Sequence, residues 1–232
     1  MPSVRPFLIT FSGIDGAGKT TQIERLSARL SAQGYRVASF AFWDQVAVLP
    51  GLRTGFSSAA GRGTYVAAAG IAKNNKHIRT WYLSAVRSAL YAFDVARLRY
   101  LSRSLHTREY DVVIFDRYIY DQLATLYSQH PLSQAYIRFL LRLAPRPDLA
   151  FVLDASPMEA FLRKPEYPLK FMYSYREIFL RLHEMIPHLV VVPPAGVDET
   201  ASAIVRRLSQ HAGLCRLQKD TETLSAAPVD VT

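Results

Sequence analysis

Apolar positions along the chain fall into short unbroken runs separated by longer stretches with helical spacing. Phe7 to Phe11 (FLITF) is such a run and suits a strand covered on both faces. Lys19 to Gln33 carries Ile23, Leu26 and Leu30 at helical spacing, and Gly34 closes it as a left-handed C-terminal cap. Arg36 to Phe42 predicts the second strand. Trp43 to Asn75 is rich in Gly, Ala and Ser and predicts a loop with at most one short helix. Between Lys73 and Arg108 there is no proline, and Leu83, Val86, Leu90, Phe93, Leu101 and Leu105 mark one long helix. Val112 to Phe115 predicts a strand, Tyr136 to Leu143 a helix and Leu149 to Leu153 a strand. Pro157 opens a helix at a position where proline is tolerated. Phe171 to Met185 predicts a helix, Leu189 to Val192 a fifth strand, and Asp198 to His211 a last helix capped by Asp198.

Strands alternating with helices in this way predict an α/β fold. The expected form is a five-stranded parallel sheet with helices on both faces, three layers in a single domain over about residues 5–212. Ligands of such sheets bind outside the carboxyl ends of the strands, so reactive residues are expected just after each strand. Residues 213–232 lack periodicity and read as a disordered tail.

Composition narrows the partners. Half of the 232 residues are apolar, and 11 Gly with 13 Pro exclude a collagen-like or wholly disordered chain. The lone Cys215 excludes an internal disulfide framework and a cysteine-only zinc cluster, and no metal site is expected of the six His. A reducing, cytoplasmic compartment is therefore expected. No apolar run approaches the roughly 20 residues that span a bilayer, and the start of the chain is too short in apolar residues for a secretory signal, so no membrane partner is expected. The net charge of +9 favours an anionic partner. Eight basic residues against one acidic residue, Asp94, put a net +7 of it between Lys73 and Arg108. That helix is either solvated on a basic face or a phosphate-attracting wall beside a site. A small phosphate-bearing partner is the expected reading of this charge, and nucleic acid is not the expected partner.

The chemistry begins directly after the first strand. Gly13-Ile14-Asp15-Gly16-Ala17-Gly18-Lys19-Thr20, followed by Thr21, matches strand–GxxxxGK[ST]–helix in full. Glycines let the backbone curl with its N–H groups inward, and the helix N-terminus adds partial positive charge for phosphate. Lys19 is expected to bridge the β and γ phosphates of ATP, and the Thr20 hydroxyl to complete a Mg²⁺ shell. A GTPase-like switch would carry Asn-Lys-x-Asp after a later strand, but the fourth strand runs into Asp154-Ala155-Ser156-Pro157. A motor or transporter ATPase would need more chain. The third strand ends in Asp116-Arg117-Tyr118. Asp116 can hold Mg²⁺ through water, and Arg117 can neutralise charge on a transferred phosphoryl group. A small protein passing phosphate to a small acceptor fits best.

The stretches GIDGAGKTTQ (Gly13 to Gln22), FDRY (Phe115 to Tyr118), Leu123-Ala124 and PDLAFVLDASPME (Pro147 to Glu159) resemble the thymidylate kinase family of P-loop nucleoside-monophosphate kinases. The resemblance extends over about residues 5–212. It implies a P-loop NTPase fold and ATP- and Mg²⁺-dependent phosphoryl transfer to a nucleoside monophosphate, with dTMP to dTDP as the first expectation. It also implies that Asp15 contacts the acceptor sugar hydroxyl and that Arg117 contacts phosphates of donor and acceptor. A lid after the fourth strand, about residues 163–170, supplies arginine where the loop lacks one. Gly16 stands where some members carry arginine, so a lid cation is expected: Arg163 first, with Lys164, Lys170 and Arg176 as alternatives. The family pattern also implies a homodimer through helices flanking the sheet.

The acceptor side departs from the family. Tyr91 falls where the family stacks an aromatic on the base, although it equally suits a core position. Asp94 matches, but Val95 replaces the arginine that reads thymine, and Arg87 lies on the same helix face as Tyr91. Leu126 occupies the base-reading glutamine position, with Gln122 one turn earlier. Phe42-Trp43-Asp44-Gln45 stands where an early arginine is usual. Asp15, Arg87, Tyr91, Asp94, Arg117 and Gln122 are thus the expected acceptor-binding residues. The acceptor stays open between thymidylate, another nucleotide, a nucleoside and a non-nucleotide phosphate. The other reading is a nucleotide-binding regulatory or interaction module without that activity.

Overall fold

The computed structural model describes residues 5–46, 77–105 and 109–211, the side chains of 77–87 excepted. Cys215, the tail 213–232 and most of the 43–75 segment lie outside the described residues. Five strands, β1 (Phe7–Ser12), β2 (Val37–Ala41), β3 (Val112–Asp116), β4 (Leu149–Leu153) and β5 (Leu189–Val192), form one sheet in the order β2-β3-β1-β4-β5. Every pairing is parallel. β1 and β4 are buried along their whole length and β3 nearly so, as continuous apolar runs require. β2 and β5 are edges and only partly buried.

Around the sheet lie α1 (Lys19–Ala32), α2 (Phe42–Gln45), α3 (His77–Ser104), α4 (Ile119–Leu126), α5 (Pro131–Leu143), α6 (Pro157–Arg163), α7 (Leu169–Met185) and α8 (Val197–Ser209). Alternation along the strands divides the core in two. Phe7, Ile9 and Phe11 pack with Ile23, Leu26 and Leu30 of α1 and Ile204 and Leu208 of α8. Leu8, Val113 and Phe115 pack on the other face with Tyr91, Val95 and Leu98 of α3, Leu123 of α4, Ile137 of α5 and Phe179 of α7. The predicted three layers are the observed ones.

Ion pairs pin the amino ends of the strands, opposite the reactive end. Arg36, just before β2, donates Nη2 to Asp111 Oδ1 at 2.9 Å just before β3. The same hydrogen bonding holds the Asp111 carboxyl below its usual range. Ahead of β4, Asp148 accepts Leu8 N at 2.8 Å and pairs with Arg5 at 2.6 Å. These exposed arginines add at most about 1 kcal/mol each; register is their main contribution.

Several elements differ from the sequence expectation. Residues 119–126 form α4, which no apolar spacing announced; the Asp121 carboxylate accepts Tyr118 N at 3.2 Å and closes its first turn. α5 begins at Pro131, because proline occupies the first turn and the His130 ring accepts Leu132 N at 3.3 Å. α8 is entered through Gly196, so Asp198 is not its cap; it lies in the first turn and pairs with Arg25 of α1. The inward face of α3 is rotated from the predicted stripe: Tyr91, Asp94, Val95 and Leu98 are buried, while Phe93 is 64% exposed. Two apolar stripes interleave on this helix, and contact with the sheet selects one. Among the described residues no helix is long and apolar enough to cross a membrane.

Candidate active site

The loop between β1 and α1 is shaped by three glycines with positive φ. Gly13 has φ +135, and a Cβ there would lie 2.6 Å from the Leu153 carbonyl oxygen of β4. Gly16 has φ +80, and its Cβ would meet the Ala160 carbonyl oxygen of α6 at 2.5 Å. Gly18 has φ +85 with open space around it. Gly13→Ala therefore combines strain with a backbone clash and is expected to destabilise the fold by roughly 2–4 kcal/mol, against about 1 kcal/mol for Gly18→Ala. Urea unfolding of the two variants checks the difference; equal losses would mean that β4 does not press on the loop. The contact at Gly16 also means that a side chain there would displace α6, so the loop is closed to an arginine at that position.

Lys19 opens α1 and turns its side chain back into the loop. Its Nζ donates to the carbonyl oxygens of Gly13 and Ile14, each at 2.9 Å. Burial lowers its pKa to about 8, nearby Arg117 pushes the same way, and Asp121, Asp15 and Asp116 oppose the shift. Thr20 and Thr21 are exposed in the first turn, where a helix's leading N–H groups have no intrahelical acceptor and are available to an anion.

Arg117 follows β3, whose Asp116 is level with Phe11 of β1. Its N–H donates to Phe11 O at 2.8 Å, and its backbone has φ +67, a left-handed conformation costly for a side chain of this size. The guanidinium donates through Nη2 to Asp15 Oδ1 and through Nη1 to Asp121 Oδ1, the latter at 3.1 Å. Burial works against its charge, but Asp121 and Asp15 outweigh it and hold the group above its ordinary pKa. Burial raises the Asp121 carboxyl, with Arg117 and Lys19 opposing. Asp116 Oδ1 is buried with no hydrogen-bond partner among the described residues. That orphaned oxygen fits a divalent cation, and Thr20 directly follows Lys19, whose ammonium feels the Asp116 charge. Among the described residues no cluster of three or more His, Cys, Asp or Glu could hold a metal by itself. Such an ion would then share its shell with phosphate oxygens and water, as Mg²⁺ prefers.

Asp121 is the functional candidate that sequence reasoning missed. Its signal was present: a carboxylate one helical turn after Arg117 can reach back to that arginine.

The expected lid falls between α6, ending at Arg163, and α7, beginning at Leu169. Arg163 is half-exposed and donates Nε to Glu159 O at 3.2 Å, Lys164 pairs with Glu166 at 3.1 Å, and Lys170 is exposed. Arg176 instead sits beside the phosphate loop. Its Nε and Nη2 donate to the two oxygens of Asp154, at 2.5 and 2.7 Å, in a cleft shared with Gly13 and Ile14.

On the acceptor side, Tyr91, Asp94 and Gln122 come together in one buried string. Tyr91 Oη lies 2.7 Å from Thr125 Oγ1, which donates to Gln122 O at 2.7 Å, and Gln122 Nε2 donates to Asp94 Oδ2 at 2.6 Å. Val95 lies in the core, and Leu126 packs against it. The Arg87 side chain lies outside the described residues.

No protein-family model matches the chain. A probable thymidylate kinase of Pyrococcus abyssi is 28% identical over 222 residues, spanning 87% of this chain and 95% of that protein. Another, from Thermococcus onnurineus, is 30% identical over 227 residues, spanning 90% of this chain and 99% of its own length. In fold, the chain is similar to the solved structure of thymidylate kinase from Candida albicans, with TM-score 0.60, 21% identity, and coverage of 90% of this chain and 93% of that one.

Proposed function

The chain belongs to the thymidylate kinase family, and from that premise we propose that this nucleotide kinase transfers the γ-phosphoryl group of ATP to thymidylate. An oxygen of the acceptor phosphate forms a bond to the γ-phosphorus, the bond from that phosphorus to the β–γ bridging oxygen breaks, and ADP leaves. The acceptor becomes a diphosphate. The inward N–H groups of Gly13 to Thr21 cradle the donor phosphates, and Lys19 swings from the loop carbonyls to the β and γ oxygens. Arg117 offers its guanidinium to the phosphoryl group in flight, and Asp15 turns to the acceptor sugar. Thr20 and Asp116 would hold Mg²⁺, which supplies charge neutralisation across the β and γ phosphates when bound. A cation from Arg163, Lys164, Lys170 or Arg176 completes the site as the lid closes and excludes water.

The observation that carries this reading is the convergence of Asp15, Lys19 and Arg117 at the carboxyl ends of β1 and β3, beside the orphaned Asp116 oxygen. The test is a panel of nucleoside monophosphates and nucleosides with ATP and Mg²⁺, read by chromatography of ADP and of the phosphorylated acceptor. Stoichiometric ADP and dTDP are expected with dTMP. ADP at the ATP-only rate with every acceptor would favour a nucleotide-binding module.

A second reading is favoured by Val95 and Leu126, which place no hydrogen-bonding group at the two base-reading positions. Loss of such partners forfeits roughly a thousandfold or more of base discrimination. On this reading the enzyme takes another small phosphate acceptor, and the same panel would show a best substrate other than dTMP.

A further inference from the structure

We propose that Asp121 is a positioning residue for Arg117, fixing the guanidinium toward the phosphoryl group at the expense of phosphate affinity in the resting site. The half of this proposal that concerns turnover rests on the kinase reading above; the half that concerns phosphate binding does not.

Arg117 has two carboxylate partners of different kinds. Asp15 lies on the phosphate loop, partly exposed, and is free to turn to a ligand. Asp121 is fully buried, and bonds to its side chain and its backbone fix it. Its Oδ1 accepts Arg117, its Oδ2 accepts Tyr118 N at 3.2 Å, and its backbone oxygen accepts the Tyr175 hydroxyl of α7 at 2.8 Å. When Asp15 leaves for the acceptor, Asp121 is the strut that keeps the planar fork from swinging. The left-handed backbone at Arg117 aims the same side chain from its root.

Charge sets the cost. Around Asp121 stand Lys19 from α1, Asp15 from the loop, Asp116 and Arg117 from the end of β3, and the Tyr175 hydroxyl from α7. Three carboxylates face two cations, so an incoming phosphate meets positive charge that is already neutralised. A buried charge a few ångströms from the phosphates, in a medium of effective dielectric near 20, shifts their affinity by about tenfold or more. A role confined to closing the first turn of α4 would carry no such signature.

Asp121→Asn separates the two, because it keeps the size and one acceptor oxygen and removes the charge. Titration calorimetry with inorganic tripolyphosphate in EDTA should show about tenfold tighter binding than wild type. Steady-state kinetics should show KM for ATP falling and kcat dropping by about 10- to 100-fold. Tripolyphosphate affinity equal to or weaker than wild type would overturn the proposal, as would kcat and KM that move only in step with lost thermal stability. Should the wild type phosphorylate no acceptor, the kinase reading fails alone, and tripolyphosphate still decides the role of Asp121. If the Asn variant does not fold, Asp121→Ser, smaller and equally neutral, is held to the same tripolyphosphate criterion.

Discussion

Lys19→Ala is expected to lower phosphoryl transfer by at least about a thousandfold while leaving the fold intact. The ammonium is the one flexible cation of the loop itself, and it is the side chain placed to meet charge developing between the β and γ phosphates. The fold should tolerate the change because the resting lysine is not a stabilising group. Its pKa falls from 10.5 to about 8 on burial, so between those values the unfolded chain holds a proton that the folded chain has released. Stability contributed at this site therefore rises with pH across that interval, and the cost of burying the ammonium is borne in full below it. The cost is on the order of 3 kcal/mol, offset in part by two hydrogen bonds of about 1 kcal/mol each. Urea unfolding of the nucleotide- and metal-free proteins at pH 7 and pH 10 checks the sign: wild type should gain on the variant as pH rises. Turnover within tenfold of wild type would remove Lys19 from the donor site.

Arg117→Lys should reduce kcat by roughly a thousandfold, with a much smaller change in KM. Lysine keeps the charge, but a single ammonium cannot bridge Asp15 and Asp121 while presenting a second edge to phosphate. Transition-state arginines in phosphoryl transfer are worth about 10³–10⁵ in rate. Arg117→Ala is less informative, since it strands the fully buried Asp121 carboxylate and should cost about 3 kcal/mol or more in stability. Single-turnover transfer by the Lys variant is the decisive measurement; a rate near wild type would assign the role to a lid cation.

Much of this fold is legible in the sequence, and particular residues show why. The β1–loop–α1 unit could be read because its physics is local: glycines at Gly13, Gly16 and Gly18 serve a turn of adjacent residues, and Lys19 is tied to that turn by chain connectivity. Asp116 and Arg117 were legible as polar residues ending an apolar strand. The inward face of α3 was not, because Phe93 and Tyr91 satisfy helical spacing equally well and only contact with the sheet chooses between them. Asp94 and Gln122 are expected acceptor-binding residues, and that they bond to each other across 28 positions is something no local spacing announces.

Sequence alone determined the fold class and the family and supplied the candidate residues of the phosphate loop, since each rests on short-range pattern. Tertiary structure decided the strand order β2-β3-β1-β4-β5, the pressure of α6 on Gly16, the pairing of Arg176 with Asp154, and the meeting of Asp15 with Arg117. Those facts depend on segments far apart in the chain, Asp15 and Arg117 being separated by 102 positions. Their meeting is set by the packing of helices on a parallel sheet, which no local spacing of residues encodes.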